Sequence, residues 1–216
     1  MTNSPPELIY CDEYLLAFNK PAGLLAVPGR GEDKQDCLSA RVQQQYPDAL
    51  IVHRLDMATS GLIVFARGIA MQRRLSEMFR EREVKKIYVA IVSGTLKPES
   101  GQVNLPVGAD WPNRPRQKID MEKGKPSITR YRVLSHQACS TRLELEPVTG
   151  RTHQLRVHMS ALGHHILGDT LYGDATNIQA AEQFVSAPRL LLHALSLSLS
   201  HPAAQTPLIL RCEAAF

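Results

Sequence analysis

Residues 52–66 read VHRLDMATSGLIVFA, and the two halves of this stretch ask for different things. Residues 61–66 form a continuous apolar run of strand length. Ahead of that strand, a histidine, an arginine and an aspartate fall within four positions. In an extended chain, side chains two apart point to the same face, so Arg54 and Asp56 project together while His53 and Leu55 face the other way. A charged pair then shares one wall beside the strand.

Working outward, strand-like runs dominate. Residues 8–10 and 15–18 flank Asp12 and Glu13, a hairpin signal, and Asn19-Lys20-Pro21-Ala22-Gly23 ends that hairpin in a turn. Residues 39–46 read as a short helix and residues 87–93 as another apolar strand. Partial alternation over residues 128–135 and 141–146 predicts a strand pair. A helix is expected over residues 153–162, with Leu155, Met159 and Leu162 as its apolar stripe, Thr152 as its cap and Gly163 at its end. Residues 190–200 alternate as LLLHALSLSLS, and residues 208–212 give a last strand. Strands followed by strands, with few helices between, predict an α+β domain around a mixed, mainly antiparallel sheet.

A chain of 216 residues with 44% apolar side chains can bury one well-packed core, so a single domain is expected. Its opening, MTNSPPELIYCDE, has neither the basic nor the apolar segment of a leader, and nowhere do about 18 apolar residues run together. A cytoplasmic protein with no membrane partner is the expectation. Cys11, Cys37, Cys139 and Cys212 form no C-x-x-C pair, which argues against a disulfide framework or a zinc ribbon and for reduced, buried thiols. The net charge is only +4, yet 17 of the 25 basic residues are arginine, whose guanidinium suits phosphate forks and stacking on bases. Residues 73–86 carry six basic and three acidic side chains. Met71, Leu75, Met78 and Phe79 recur there at helical spacing, so the run reads as an amphipathic helix whose charged face is solvated or turned to phosphate.

Several chemistries are excluded by pattern. No G-x-x-x-x-G-K-[ST] cradles a triphosphate and no G-x-G-x-x-G follows a strand. The zinc deaminase signature is missing. His153 and His158, five apart on their expected helix, stand about 140° around its axis, and His164-His165 has no ligand partners at usual spacing, so no metal site is expected.

Four polar stretches remain: Asn19-Lys20-Pro21-Ala22-Gly23-Leu24, His53-Arg54-Leu55-Asp56, Tyr88-Val89-Ala90, and the G-R-T-H-Q-L-R-V-H of residues 150–158. Singly, each has a plain structural reading. In this order the set resembles the RluA family of pseudouridine synthases, with its N-K-P-x-G-L start, H-R-L-D motif, Y-x-A strand and G-R-x-H-Q-L-R-x-H helix entry. The resemblance runs from about Leu8 to Phe216, and residues 137–142 and 174–185 depart from it in loops that would select the RNA. It implies an α+β pseudouridine synthase fold, its mixed, mainly antiparallel sheet flanked by helices and loops around a central RNA-binding cleft. It also implies one catalytic domain over residues 1–216 with no N-terminal S4-like module.

The activity implied is isomerisation: a chosen uridine is detached at N1, turned, and rejoined to ribose through C5. Composition does not change, so no cofactor is required. The implied RNA partners are large-subunit ribosomal RNA and the anticodon stem-loop of transfer RNA, met by a monomer. Asp56 is the candidate carboxylate, acting as nucleophile or charge stabiliser against ribose C1′ or the base. It must stay ionised where burial opposes charge, and by the family's pattern Arg156 supplies the balancing cation. The flipped uridine leaves a gap that Arg54 is expected to fill. Tyr88 is expected to stack on uracil and handle a proton. His53 and Thr59 brace the loop and Lys20 supports the pocket. His53, Arg54, Arg80, Arg82, Trp111, Arg114, Arg116, Lys118 and Arg151 make up the expected RNA-contacting set. Two other classes stay open: a non-catalytic RNA-binding module, and a glycosidic hydrolase, which needs a second carboxylate that no motif offers.

Overall fold

The computed structural model describes residues 6–185 and 189–216; residues 1–5, part of the stretch read as lacking a leader, lie outside the described residues. In chain order the elements are β1 (Glu7–Cys11), β2 (Leu15–Lys20), α1 (Leu38–Gln45), β3 (Ala49–Ile51), β4 (Ser60–Arg67), α2 (Gly68–Arg80), β5 (Lys85–Ser93) and β6 (Ser100–Asn104). They continue with β7 (Val107–Ala109), β8 (Gln117–Ile119), β9 (Ile128–Gln137), β10 (Ser140–Pro147), α3 (Gln154–Ala161), α4 (Ala175–Ala180), β11 (Leu192–Ser200) and β12 (Pro207–Arg211). The chain divides into two compact units. One reaches to Lys85 and takes up Ala194–Ala214; the other is Lys86–His193 with Ala215–Phe216.

In the first unit, β1, β2 and β4 follow one another through antiparallel ladders, β3 and β11 also pair with β4, and β12 pairs with β11. β4 is buried from Ser60 through Ala66. That is why its sequence is a continuous apolar run: a strand covered on both faces has no outward positions to make polar. Gly61 opens it at φ 108°, and a Cβ there would lie 2.4 Å from the Ala194 carbonyl oxygen, so only glycine fits. β11 shows the other pattern, with Leu195, Leu197 and Leu199 buried and the serines between them half-exposed. The hairpin between β1 and β2 is closed by Asp12, whose Oδ1 accepts from the amides of Tyr14 and Leu15 and whose Oδ2 accepts from Tyr10 and His201. α2 buries Leu75 and Met78. It stops at Arg80 instead of spanning the whole basic run, because Arg82 takes a left-handed φ of 64° and Lys85 already starts β5.

In the second unit the antiparallel sheet runs β5-β10-β9-β6, so the expected α+β architecture with a mainly antiparallel sheet is present. β7 and β8 form a separate hairpin. α3 departs from expectation. Gln154, Leu155, Arg156, Val157, His158 and Met159 are all buried, while Leu162, expected in the apolar stripe, is 39% exposed. The helix is enclosed, not amphipathic. Thr152 does not cap it: His153 holds the N-cap at φ 53° with no side-chain cap bond, and the Gln154 side chain takes the Arg151 amide instead. Gly163 does end it, at φ 78°.

The stretch at residues 174–185, read as a loop, contains α4, started by Asp174 accepting from the Asn177 amide at 2.8 Å. All four cysteines are free, but Cys11 and Cys139 are exposed, correcting the expectation of four core thiols. Cys139 sits in the tight turn between β9 and β10, where there is no interior to enter. Among the described residues no helix is long and apolar enough to cross a membrane.

Candidate active site

The H-R-L-D stretch lies between β3 and β4 on irregular backbone, not in the extended strand on which the reading of its faces rested. Leu55 is buried, Arg54 is exposed and Asp56 is half-buried. His53 fixes the stretch from below: its ring stacks on Phe79 of α2 at 4.4 Å, and its Nε2 accepts from the Val64 amide of β4 at 3.0 Å. A nitrogen that accepts carries no proton, so the hydrogen of this imidazole sits on Nδ1. The chain then turns, with the Thr59 amide donating to the Asp56 carbonyl at 3.1 Å, and Thr59 is buried as the turn closes.

The N-K-P-A-G-L stretch fastens that turn. Lys20 has no exposed surface, and its Nζ donates to the carbonyls of Pro21 at 2.9 Å, Leu24 at 2.7 Å and Met57 at 3.0 Å. Three ammonium hydrogens meet three acceptors. The Met57 carbonyl also accepts from the Gly23 amide at 2.8 Å. Burial pushes the Lys20 amine down to about 7, while the negative charge of Asp56 works in the opposite direction. The residue after Asp56 is thus held by two donors, and the carboxylate itself stays half-buried.

In the second unit, Tyr88 is half-buried on β5, opposite Leu145 of β10. Arg156, 4% exposed, donates through Nε and Nη2 to the two oxygens of Asp169 at 2.8 and 2.6 Å. Asp169 is 1% exposed and its Oδ1 also accepts the amides of Leu171 and Tyr172. This is a two-pronged, charge-assisted pair in a site closed to water. The Tyr172 ring lies 5.0 Å from the guanidinium carbon.

The rest of the G-R-T-H-Q-L-R-V-H segment is scaffolding. Gln154 accepts from the Thr149 hydroxyl and the Arg151 amide and donates to the Ile128 carbonyl and Thr129 Oγ1. His158 Nε2 donates to the Leu105 carbonyl at 2.9 Å, so its Nδ1 is the acceptor for the Thr129 hydroxyl. Burial pushes the His158 imidazole down, consistent with a neutral ring that uses both nitrogens. Among the described residues no three His, Cys, Asp or Glu side chains gather as metal ligands.

The hairpin of β7 and β8 carries a second group of expected residues. Trp111 opens a 3-10 turn and is 67% exposed. The Arg114 guanidinium covers its ring at 3.6 Å, and Arg116 and Lys118 are exposed alongside. Arg80 and Arg82 are exposed near the end of α2. Arg80 is paired with Glu77 and Glu81, which makes part of that basic run a self-neutralised surface. Arg151 is half-buried, with its Nε buried and without a hydrogen-bond partner among the described residues.

Over residues 14–161 the chain matches the family described as RNA pseudouridylate synthase. It is 50% identical over 219 residues to the dual-specificity RNA pseudouridine synthase RluA of Escherichia coli K12, across 99% of this chain and 97% of that protein. The chain belongs to the RluA family of RNA pseudouridine synthases. The protein of the same name from Yersinia pestis is 49% identical over 210 residues, covering 97% of this chain and 99% of its own length. Among solved structures, human RNA pseudouridylate synthase domain containing 1 superposes with a TM-score of 0.80 at 27% identity, over all of this chain and 86% of that one.

The enzyme is therefore an isomerase of RNA, and its four motifs fall in named places. Lys20 and Asp56 belong to the first unit, Tyr88 and Arg156 to the second. Asp169, which pairs with Arg156, and Tyr172, whose ring lies beside it, are neighbours that sequence reading passed over. Their segment, GDTLYG, reads as a plain turn, and the only signal was an acid and an aromatic following the family's helix.

Proposed function

We propose that this synthase isomerises uridines in two RNAs, large-subunit ribosomal RNA and the anticodon stem-loop of transfer RNA, working as a monomer in the cytoplasm. Relatives at about half identity over nearly the whole chain carry the name dual-specificity, and recognition of a shared loop shape suits RNA, which is read through splayed bases. Asp56 is the carboxylate that acts on the flipped nucleotide. The N1–C1′ bond breaks and a C5–C1′ bond forms; the proton on C5 leaves and N1 gains one, so atoms and charge balance. Tyr88 stacks on the uracil and its hydroxyl carries a proton in the second half, and Arg156 is the cation of the chemistry.

Arg54 fills the vacated stack. It is exposed, which leaves it available for that work. Trp111, Arg114, Arg116 and Lys118 take the loop of the RNA, while Arg80, Arg82 and Arg151 meet phosphate. His53 joins the RNA-contacting set through the loop it braces, holding Arg54 in place.

The single observation that carries the chemistry is the locked turn at Asp56. A half-buried carboxylate is presented beside an exposed arginine, on backbone tied down by a buried lysine. The test is a map of pseudouridine in ribosomal and transfer RNA from cells lacking the gene, then with it restored. Loss and recovery in both RNAs is expected. Change in one RNA alone removes the dual reading, and an unchanged map overturns it.

A further inference from the structure

The Tyr172 hydroxyl stands where two parts of the second unit meet. Gln117, the first residue of β8, donates its backbone amide to Tyr172 Oη at 2.8 Å. The same oxygen lies 2.8 Å from His153 Nδ1. An amide can only donate, so the oxygen accepts from Gln117, and one further hydrogen bond joins it to the imidazole. His153 is the left-handed N-cap of α3, three residues ahead of Arg156. The Tyr172 ring faces His153 edge-on at 5.7 Å and lies 5.0 Å from the Arg156 guanidinium carbon. Its own amide is held by Asp169, the carboxylate that grips Arg156. One side chain thus touches the exposed hairpin, the helix start and the buried guanidinium, and α3 packs against β8.

We propose that Tyr172 is a positioning residue that couples the Trp111–Lys118 hairpin to Arg156, so that seating RNA on the hairpin and setting the guanidinium are one event. This rests on the reading above in which the hairpin meets RNA and Arg156 serves the chemistry. The coupling runs through the two 2.8 Å contacts of the hydroxyl and the 5.0 Å approach of the ring to the guanidinium. A shift of β8 moves Gln117 and with it the hydroxyl; the hydroxyl moves His153 and the first turn of α3; the ring moves under the guanidinium.

The test uses the full chain and an anticodon stem-loop substrate. Tyr172→Phe keeps the ring and removes both hydroxyl contacts. It should lower kcat/KM about tenfold, mostly through KM, since each net hydrogen bond is worth a few-fold to tenfold. Tyr172→Leu also removes the ring and should lower kcat further. Amide exchange at Gln117 should quicken in Tyr172→Phe while the β9 and β10 amides stay protected. In a double-mutant cycle, Trp111→Ala should cost less in the Tyr172→Phe background than in the wild type.

Wild-type exchange at Gln117, additive effects in the cycle, or a loss tracking only a lowered melting temperature would each overturn the coupling. If the wild type itself converts no uridine in this substrate, it is the substrate assignment that has failed. The Gln117 exchange arm still decides the structural link in that case.

Discussion

Asp169→Asn keeps the shape of the side chain and deletes its charge, so it isolates what the buried pair with Arg156 does. Both residues are almost wholly enclosed, at 1% and 4% exposure, and water therefore cannot take over the guanidinium. Asp169 Oδ1 receives Arg156 Nη2 and the amides of Leu171 and Tyr172, while Oδ2 receives Arg156 Nε. An asparagine that keeps its oxygen at the three-donor position turns its NH2 group toward the Arg156 Nε hydrogen, donor against donor. Removing one partner of a buried pair costs about 3–5 kcal/mol. In a protein of this size each kcal/mol moves the melting temperature by about 2–4 °C, so the variant should melt roughly 6–20 °C lower. Circular dichroism melts and urea midpoints read this directly. The double variant Arg156→Met with Asp169→Leu removes both charges and should recover most of the stability but none of the activity. A melting temperature within about 2 °C of wild type for Asp169→Asn, with single effects that simply add, would refute the pairing as a stability element.

Three further outcomes are expected. The Lys20 amine titrates near 10.5 when free and at about 7 when folded, so between those values the unfolded chain holds a proton that the folded chain has released, and stability rises with pH. The urea midpoint of wild type minus that of Lys20→Met should grow from pH 7 to pH 9, and a flat difference would contradict the burial of this amine. Gly61→Ala forces a Cβ to 2.4 Å from the Ala194 oxygen at φ 108°, and urea unfolding should show a loss above about 2 kcal/mol; a near-neutral change would mean that β4 and β11 pack less closely. Trp111, the only tryptophan, should be quenched by an anticodon stem-loop, and Trp111→Ala should weaken its binding by about 1–3 kcal/mol; unchanged fluorescence and affinity would take it out of the interface.

Local order was legible where a single period ran long enough. β4 declared itself by its unbroken apolar run and β11 by its Leu-Ser alternation, because each is fixed by which faces are covered. β6 left no such mark, since only Val103 of its five residues is buried. α3 misled the amphipathic template because its enclosed face carries Gln154, Arg156 and His158, and those polar groups are satisfied by the Thr129 and Thr149 hydroxyls, the Asp169 carboxylate and the Leu105 carbonyl, all outside the helix. The same reason hid Asp169 and Tyr172. A partner thirteen residues away across a turn obeys no periodicity, and nothing in GDTLYG announces that it closes on an arginine. Lys20 was read as pocket support, and the three-carbonyl clamp that gives it that role depends on the fold of the loop, not on spacing.

The most direct measurement is the rate of pseudouridine formation by Asp56→Asn on an anticodon stem-loop, alongside its affinity for the same RNA. A fall in rate of about a thousandfold or more is expected, with affinity near wild type, because the neutral amide keeps the shape of the turn that Lys20 holds. Product formation at an undiminished rate would contradict the assignment of the reaction to this carboxylate.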